Sequence, residues 1–393
     1  MTRLRSRVGP QSLDGGHPLD VDRLLDDPAT GIIVCCGSGG VGKTTTSAAL
    51  ALRAAERGRT VVVLTIDPAR RLAQSMGIEV LDNTPRPVAG VSTTASGGSL
   101  DAMMLDMKRT FDEVVESQAS PEKAQQILRN PFYIALSSSF AGTQEYMAME
   151  KLGQIHADAR RDGTYDLIVV DTPPSRSALD FLDAPERLSS FLDGRFIRLL
   201  LAPAKGPARL MSAGLGMVTN ALTKVLGAQV LRDMQTFVAA FDTLFGGFRQ
   251  RAQKTFELLQ ADGTAFLVVA APEPDALREA AYFVERLGED DMPVAGLVVN
   301  RASPEQHGDI TAEEAMAAAQ RLRKDGADSL TAGLLRLHAD HMRMVERETL
   351  LRHRFEAAHP QVPIAVVPAL AGDVHDLAGL RQVGALLAGE RPT

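Results

Sequence analysis

Short runs of consecutive apolar residues recur along the chain and alternate with longer segments of helical spacing. Parallel strands that are buried on both faces have this continuous apolar character, whereas half-exposed strands alternate apolar and polar residues. Six runs predict buried strands, at residues 31–36, 59–67, 165–171, 265–270, 294–300 and 364–368. Helices are predicted between them, at residues 45–57, 105–128, 142–161, 275–287 and 377–387. This alternation predicts an α/β fold with a doubly wound, mostly parallel sheet.

The pattern changes between residues 185 and 259. Apolar residues there recur every three to four positions, as at Leu215, Val218 and Leu222, which predicts amphipathic helices. Two interpretations remain open: a helical subdomain that packs its own core, or one that exposes a groove for an apolar client. The predicted organisation is a flexible tail at 1–28, in which residues 21–25 could form a short capping helix, and a first core part at 29–184. An α-helical subdomain follows at 185–259, and a second core part at 260–393 contains a helical insertion at about 304–358.

Composition narrows the function classes. The 393 residues are 45% hydrophobic and carry a net charge of −7, without the basic stripe that nucleic-acid binding requires. No secretory signal and no apolar run of about 18 residues is present. We therefore expect a cytoplasmic protein, either free or peripheral to the membrane, with no nucleic-acid partner. The adjacent Cys35 and Cys36 are interpreted as buried apolar residues, and His338 with His341 lacks the further ligands that zinc needs.

A glycine-rich segment follows the first predicted strand and opens the first predicted helix. It reads Gly-Ser-Gly-Gly-Val-Gly-Lys-Thr, from Gly37 to Thr44. This order of strand, loop and helix is the context that the phosphate-loop motif requires. The glycines let backbone N–H groups turn toward a phosphate, Lys43 would reach the terminal phosphates, and the Thr44 hydroxyl would bind Mg²⁺. The predicted nucleotide-binding set is Gly37, Ser38, Gly39, Gly40, Val41, Gly42, Lys43, Thr44 and Thr45.

Two acidic residues end predicted strands near this loop. Asp67 closes the second strand and Asp171 closes the third. Ligands gather at the carboxyl ends of parallel strands, so both carboxylates are candidates to hold Mg²⁺ together with Thr44. Asp171 is also placed to cap a following helix, and both roles can hold together.

These segments resemble the anion-transporting ATPase family over most of residues 30–390. The specific pieces are the glycine loop, Asp67-Pro68-Ala69, Asp171-Thr172 with Pro174, and Asn300-Arg301. The resemblance implies a P-loop NTPase fold with an inserted helical subdomain, binding of ATP and Mg²⁺, and a nucleotide-dependent dimer. It also implies that Asn300 and Pro368 border the adenine. The catalytic set expected from motif and family together is Lys43, Asp67, Gln74 and Asp171.

The sequence departs from the family pattern at positions that matter for hydrolysis. Ser38 stands where the family has a lysine that crosses the dimer interface, and Gln74 stands where a water-positioning aspartate is usual. A neutral amide can orient water but cannot act as a carboxylate base. Arg176 and Ser177 replace a usual Gly and His, and the cysteines for metalloids or zinc are absent.

Two functional hypotheses follow. The first is a Mg²⁺-dependent dimeric ATPase that handles a hydrophobic protein client or a membrane partner, as a homodimer or with a paralogue that retains the lysine. The second is a nucleotide-binding regulatory or scaffold subunit of a heterodimer, with little turnover. An arsenite-type efflux ATPase is disfavoured because the metalloid cysteines are missing.

Overall fold

The computed structural model describes residues 17–67, 71–91, 97–131, 133–134, 137, 143–173, 250–304, 310–324 and 329–390. Its strands are β1 (Ile32–Cys36), β2 (Thr60–Thr65), β3 (Arg86–Pro87), β4 (Ser99–Met104), β5 (Leu167–Asp171), β6 (Thr264–Ala270), β7 (Val294–Ala302) and β8 (Ile364–Pro368). Its helices are α1 (Val21–Asp26), α2 (Lys43–Glu56), α3 (Arg71–Ser75), α4 (Met107–Gln118), α5 (Pro121–Leu128), α6 (Thr143–Asp162), α7 (Pro274–Glu289), α8 (Ala312–Lys324), α9 (Ser329–Ala358) and α10 (Leu377–Leu387).

All the strands in the described ranges join one sheet in the order β3-β4-β2-β5-β1-β6-β7-β8. Every pairing is parallel except that of the two-residue edge strand β3 with β4. The predicted doubly wound α/β fold is therefore confirmed. β1 lies between β5 and β6, and the chain winds first to one side of β1 and then to the other. This reversal places a crevice at the carboxyl end of β1, where open α/β sheets bind ligands.

The central strands are buried along their whole length, as their continuous apolar runs predict. Every residue of β1, β5 and β6 is buried. Helix α2 packs against α10, and its small residues, among them Ala48, Ala51 and Ala55, are fully buried. Small side chains let this helix lie close to the sheet. The start of α2, which carries the glycine-loop motif, is thereby fixed against the sheet.

The structure differs from the sequence prediction on one side of the sheet. The helix predicted over 105–128 is two helices, α4 and α5, because Ala119 and Ser120 are extended and Pro121 starts a new helix. The strand β4 was not predicted, since Asp101 interrupts its apolar character. That carboxylate accepts a hydrogen bond from the Tyr165 hydroxyl, which allows it to lie within a strand.

The predicted tail does not extend to residue 28. Residues 17–28 pack on the domain, with Val21 and Leu25 of α1 buried. Arg53 of α2 donates two hydrogen bonds, of 2.6 and 2.9 Å, to the carboxylate of Asp22. The short helix that residues 21–25 allow is thus present, and this bidentate pair and the two buried side chains fix it to the domain. Residues 1–16 lie outside the described residues.

The predicted helical subdomain lies almost wholly outside the described residues. Of its range 185–259, only 250–259 are described, and they are helical. The predicted insertion at about 304–358 contains α8 and α9, which pack against each other. The domain boundaries as a set remain predictions. Among the described helices, none combines the length and apolarity that crossing a membrane requires.

Candidate functional site

The glycine loop folds tightly over the end of β1. Gly37, Gly40 and Gly42 have φ values of 145°, 76° and 96°, a region that residues with a Cβ rarely adopt. A Cβ on Gly37 would lie 2.1 Å from the carbonyl oxygen of Val269 in β6, so only glycine fits there. Helix α2 then begins at Lys43 without a side-chain cap. Its first N–H groups are therefore available to an anion, and the helix dipole favours one.

The Lys43 side chain folds back over the loop. Its Nζ donates hydrogen bonds of 2.9 Å to the carbonyl of Gly37 and 2.8 Å to that of Ser38. Burial lowers the pKa of Lys43, and the neighbouring Asp171 carboxylate opposes this effect. The ammonium group thus lies at the loop, where a phosphate could exchange for these carbonyl contacts.

Asp171 joins three elements beneath the loop. Its Oδ2 accepts hydrogen bonds of 2.8 Å from the hydroxyls of Thr44 in α2 and Thr65 in β2. Its Oδ1 is buried and has no hydrogen-bond partner among the described residues. Burial is the main cause that raises the pKa of this carboxyl to about 6, against the hydrogen bonds from both threonines. A hydroxyl and an incompletely satisfied carboxylate are ligands that suit Mg²⁺, so these residues fit the expected ion.

The other predicted catalytic residues lie less directly at the loop. Asp67 follows β2, its N–H bonds to the Thr65 hydroxyl at 3.2 Å, and its charge contributes to raising the pKa of Asp171. Gln74 lies on α3 with an exposed side chain, for which the described part of the chain provides no hydrogen bond to the loop. The alternative role of Asp171 as a helix cap concerns residues from 174 onward, which are outside the described ranges.

Two residues at the end of β7 hold the loop from the other side. The Asn300 amide donates a 2.9 Å hydrogen bond to the carbonyl of Val41, and the Arg301 guanidinium donates to the carbonyl of Gly40. A Cβ on Gly42 would lie 2.1 Å from Nδ2 of Asn300, so this glycine leaves room for the amide. The family resemblance implied that Asn300 borders the adenine and gave Arg301 no role of its own, because no local pattern predicts contacts across some 260 residues.

Pro368 lines a cavity of about 260 Å³ at the carboxyl ends of β6, β7 and β8. The cavity is closed on one side by α9, whose Glu348 accepts hydrogen bonds from the N–H and hydroxyl of Ser303. Asn300 is paired with Val367 in the sheet but does not line this space. The lining residues are Pro272, Val299, Ala302, Ser303, Pro304, Val345, Glu348, Thr349, Arg352, Val366 and Pro368. Asn300 and Pro368 are thus close in the sheet, although they do not face one common cavity.

Comparison with known proteins identifies the family. The model of the anion-transporting ATPases matches residues 30–350. The chain belongs to the anion-transporting ATPase family. Among its relatives, ATPase BagA of Mycobacterium tuberculosis is 23% identical over 365 residues, which cover 90% of this chain and 91% of the relative. ATPase GET3C of Arabidopsis thaliana is 23% identical over 70% of this chain and 67% of its own.

A third relative carries a different name. The arsenical pump-driving ATPase of Acidiphilium multivorum is 26% identical over 77% of this chain but only 44% of its own length. The resemblance stated from the glycine loop and the two acidic strand ends is thus confirmed, and so is the P-loop NTPase fold. This chain carries the family's ATPase domain.

Proposed function

We propose that this chain is a Mg²⁺-dependent ATPase that works as a dimer and couples its nucleotide state to a hydrophobic protein or membrane partner. The observation that carries the proposal is the hydrogen bond between Thr44 and Asp171, beside a helix N-terminus that has no side-chain cap. A phosphate chain on the N–H groups of the loop would lie next to this pair. Phosphoryl transfer depends mainly on such positioning and charge, because the protein takes little covalent part in it.

We assign the following roles to the site residues. The loop from Gly37 to Gly42 and the first turn of α2, with Thr45, hold the phosphates, and Lys43 neutralises the terminal ones. Thr44 would bind Mg²⁺, with Asp171 and Asp67 behind it, and the bound ion would offset charge on the phosphate oxygens. Gln74 is the residue that would orient the attacking water. Asn300 and Pro368 border the base.

The outer face of α9 carries exposed apolar residues that support a role in partner binding. Leu330, Leu334, Leu337 and Met344 are spaced by three to seven residues, and they are 71%, 57%, 66% and 46% exposed. Residues at this spacing share one side of a helix. Exposed apolar faces of this kind mark contacts with proteins or membranes. The other candidate, the segment 185–259, lies outside the described residues except for its end.

A metalloid pump is the weaker reading of the family likeness. The cysteines are Cys35 and Cys36, both buried in β1. Burial raises the pKa of Cys35 to about 12 and also raises that of Cys36. Thiolates bind metalloids and metals, so thiols that stay protonated in a closed sheet are poor ligands.

The second candidate function is a nucleotide switch with little turnover, paired with a paralogue. It is favoured by Ser38, which provides no cation across an interface, and by the exposed position of Gln74. In this case the chain binds ATP tightly, and the partner supplies the missing lysine.

Steady-state phosphate release with Mg²⁺-ATP separates the two candidates. For a self-sufficient dimer we expect a specific rate that rises with protein concentration and falls by orders of magnitude in Thr44→Ala. The matched control is Thr84→Ala, at an exposed threonine outside the site. Tight ATP binding without turnover would instead support the switch. Absence of both binding and turnover would contradict the proposed function.

A further inference from the structure

Two consecutive residues of β7 contact the same loop, which regular strand geometry does not allow. Successive side chains in a strand point to opposite faces of the sheet. Asn300 and Arg301 nevertheless donate hydrogen bonds to the neighbouring carbonyls of Val41 and Gly40. The backbone explains this, because Arg301 has a φ of 62° and the ladder with β8 shifts register between Asn300 and Ala302. Irregularities of this kind redirect side chains next to functional sites.

The backbone of Arg301 is in an unfavourable conformation for a residue with a Cβ. The left-handed region is rarely adopted outside glycine, and such outliers concentrate at functional sites. In the described part of the chain, Asp291 is the other non-glycine residue with positive φ, at 55°. Glycine is the usual residue at such a position. The presence of an arginine there therefore indicates that its side chain has a function.

The carbonyl contacts determine where the loop N–H groups point. In a trans peptide the C=O and the following N–H point in opposite directions. Holding the Gly40 carbonyl toward Arg301 therefore directs the N–H of Val41 the other way, and Asn300 does the same for the N–H of Gly42. Lys43 occupies the carbonyls of Gly37 and Ser38 in this structure. A bound phosphate would attract the Lys43 ammonium away from these carbonyls. Asn300 and Arg301 belong to β7 and lie outside the loop, so they hold the loop without being part of it.

We propose that Arg301 is a positioning residue that pre-orders the phosphate loop and thereby sets the affinity for the nucleotide phosphates. The inference rests on the proposed function, since it assumes that the loop binds nucleotide. Arg301 acts through the backbone of Gly40 and Val41. Its removal therefore weakens nucleotide binding more than it slows the chemical step.

The test compares Arg301→Gly with Arg301→Lys. Glycine removes the guanidinium and suits the positive φ, so the backbone can stay as it is, whereas lysine keeps a cation and a donor. Asp291→Gly is the matched control, because it relieves the same backbone conformation at an exposed site away from the loop. Three quantities are measured: amide hydrogen exchange of residues 37–43 in the nucleotide-free protein, and the KM and kcat for ATP.

For Arg301→Gly we expect loop exchange and KM to rise on the order of tenfold, the size of one lost hydrogen bond to a charged group, while kcat changes less than about twofold. For Arg301→Lys we expect loop exchange and KM between those of Arg301→Gly and the wild type. For Asp291→Gly we expect the wild-type values. Unchanged loop exchange and KM in Arg301→Gly would overturn the proposal. Faster exchange throughout the protein would also overturn it, since that indicates general loss of stability.

Failure of the proposed function gives a different result. A wild-type chain that neither binds nor hydrolyses ATP would refute the nucleotide role. The exchange of the free loop would still report whether Arg301 orders it, because that measurement uses no nucleotide.

Discussion

The hydroxyl of Thr44 and the carboxylate of Asp171 lie 2.8 Å apart, so the first turn of α2 is bonded directly to the end of β5. The two residues are 127 positions apart in sequence. Thr65 donates to the same oxygen, while the other carboxylate oxygen is buried without a partner in the described ranges. A charged carboxylate in such a place is incompletely compensated without a bound cation. Stability of the nucleotide-free protein should therefore depend on the charge of this one group.

We predict that Asp171→Asn stabilises the nucleotide-free protein at neutral pH and does so less in acid. The pKa of Asp171 rises from 3.8 to about 6 on folding, because burial disfavours the charge. Its contribution to stability is thus fully present below pH 3.8 and is lost as pH rises through 6. From this direction the stabilising effect of Asn should be larger at pH 7.5 than at pH 5, by about 1 kcal/mol.

Urea unfolding at the two pH values measures this difference. Asp262→Asn, at an exposed aspartate outside the site, is the control for the loss of one carboxylate. An equal stabilisation by Asp171→Asn at both pH values would mean that burial does not raise the pKa of this carboxyl.

We predict that Gly42→Ala abolishes nucleotide binding and destabilises the protein by about 2–4 kcal/mol. The new Cβ meets the Asn300 amide at 2.1 Å, and the φ of 96° is unfavourable for alanine. Gly40→Ala is the matched control, since its φ is 76° but nothing lies within 4 Å of the new Cβ. It should cost only the backbone part, about 1 kcal/mol.

The double variant Gly42→Ala with Asn300→Ala identifies the cause of the destabilisation. If the clash with the amide dominates, the double variant is more stable than additivity of the single variants allows. Additive effects, measured by urea unfolding, would show that backbone conformation alone makes Gly42 necessary.

The sequence was sufficient to predict those elements whose burial produces a recognisable pattern of consecutive residues. All six predicted strands are present, because strands covered on both faces consist of uninterrupted apolar residues. The glycine loop was recognisable for a related reason, since positive φ and close packing at Gly37 and Gly42 leave no other residue type. The strand β4 was missed because its burial is incomplete and Asp101 interrupts it.

Contacts between distant segments had no such signature. The short helix that residues 21–25 allow is present as α1, but no pattern within residues 17–28 predicts the pairing of Asp22 with Arg53 that holds it. The contacts of Asn300 and Arg301 with the loop depend on a backbone irregularity in β7 that propensity does not reveal. Both arise from tertiary geometry, which a single sequence does not encode in any short window.

We predict that Ser38→Lys increases the ATP turnover of the pure chain by at least about tenfold. A cation supplied across an interface stabilises charge in the transition state, and such groups contribute several orders of magnitude in other phosphoryl-transfer enzymes. The Ser38 contact with Lys43 uses its backbone carbonyl, so the substitution leaves that hydrogen bond in place. Phosphate release at several protein concentrations measures the change. Ser38→Gln lengthens the side chain without charge, and an equal gain in that variant would exclude an electrostatic cause.

We predict that Leu334→Asp with Leu337→Asp prevents membrane binding without affecting ATP turnover. Both leucines are more than half exposed, so stability should change by less than about 1 kcal/mol. Inserted into a lipid surface, each would bury apolar area worth about 1.5–3 kcal/mol. Arg336, Arg343 and Arg347 are exposed on the same helix and would face anionic headgroups.

Co-sedimentation with vesicles of phosphatidylcholine and phosphatidylglycerol measures this binding. Val80→Asp is the matched control, because Val80 is 58% exposed but lies away from α9. We expect the wild type and Val80→Asp to bind and the double variant to lose at least about tenfold in affinity, as the two buried leucines imply. Binding that survives the double variant, or a wild type that stays in the supernatant, would mean that this face of α9 contacts a protein or stays in solvent.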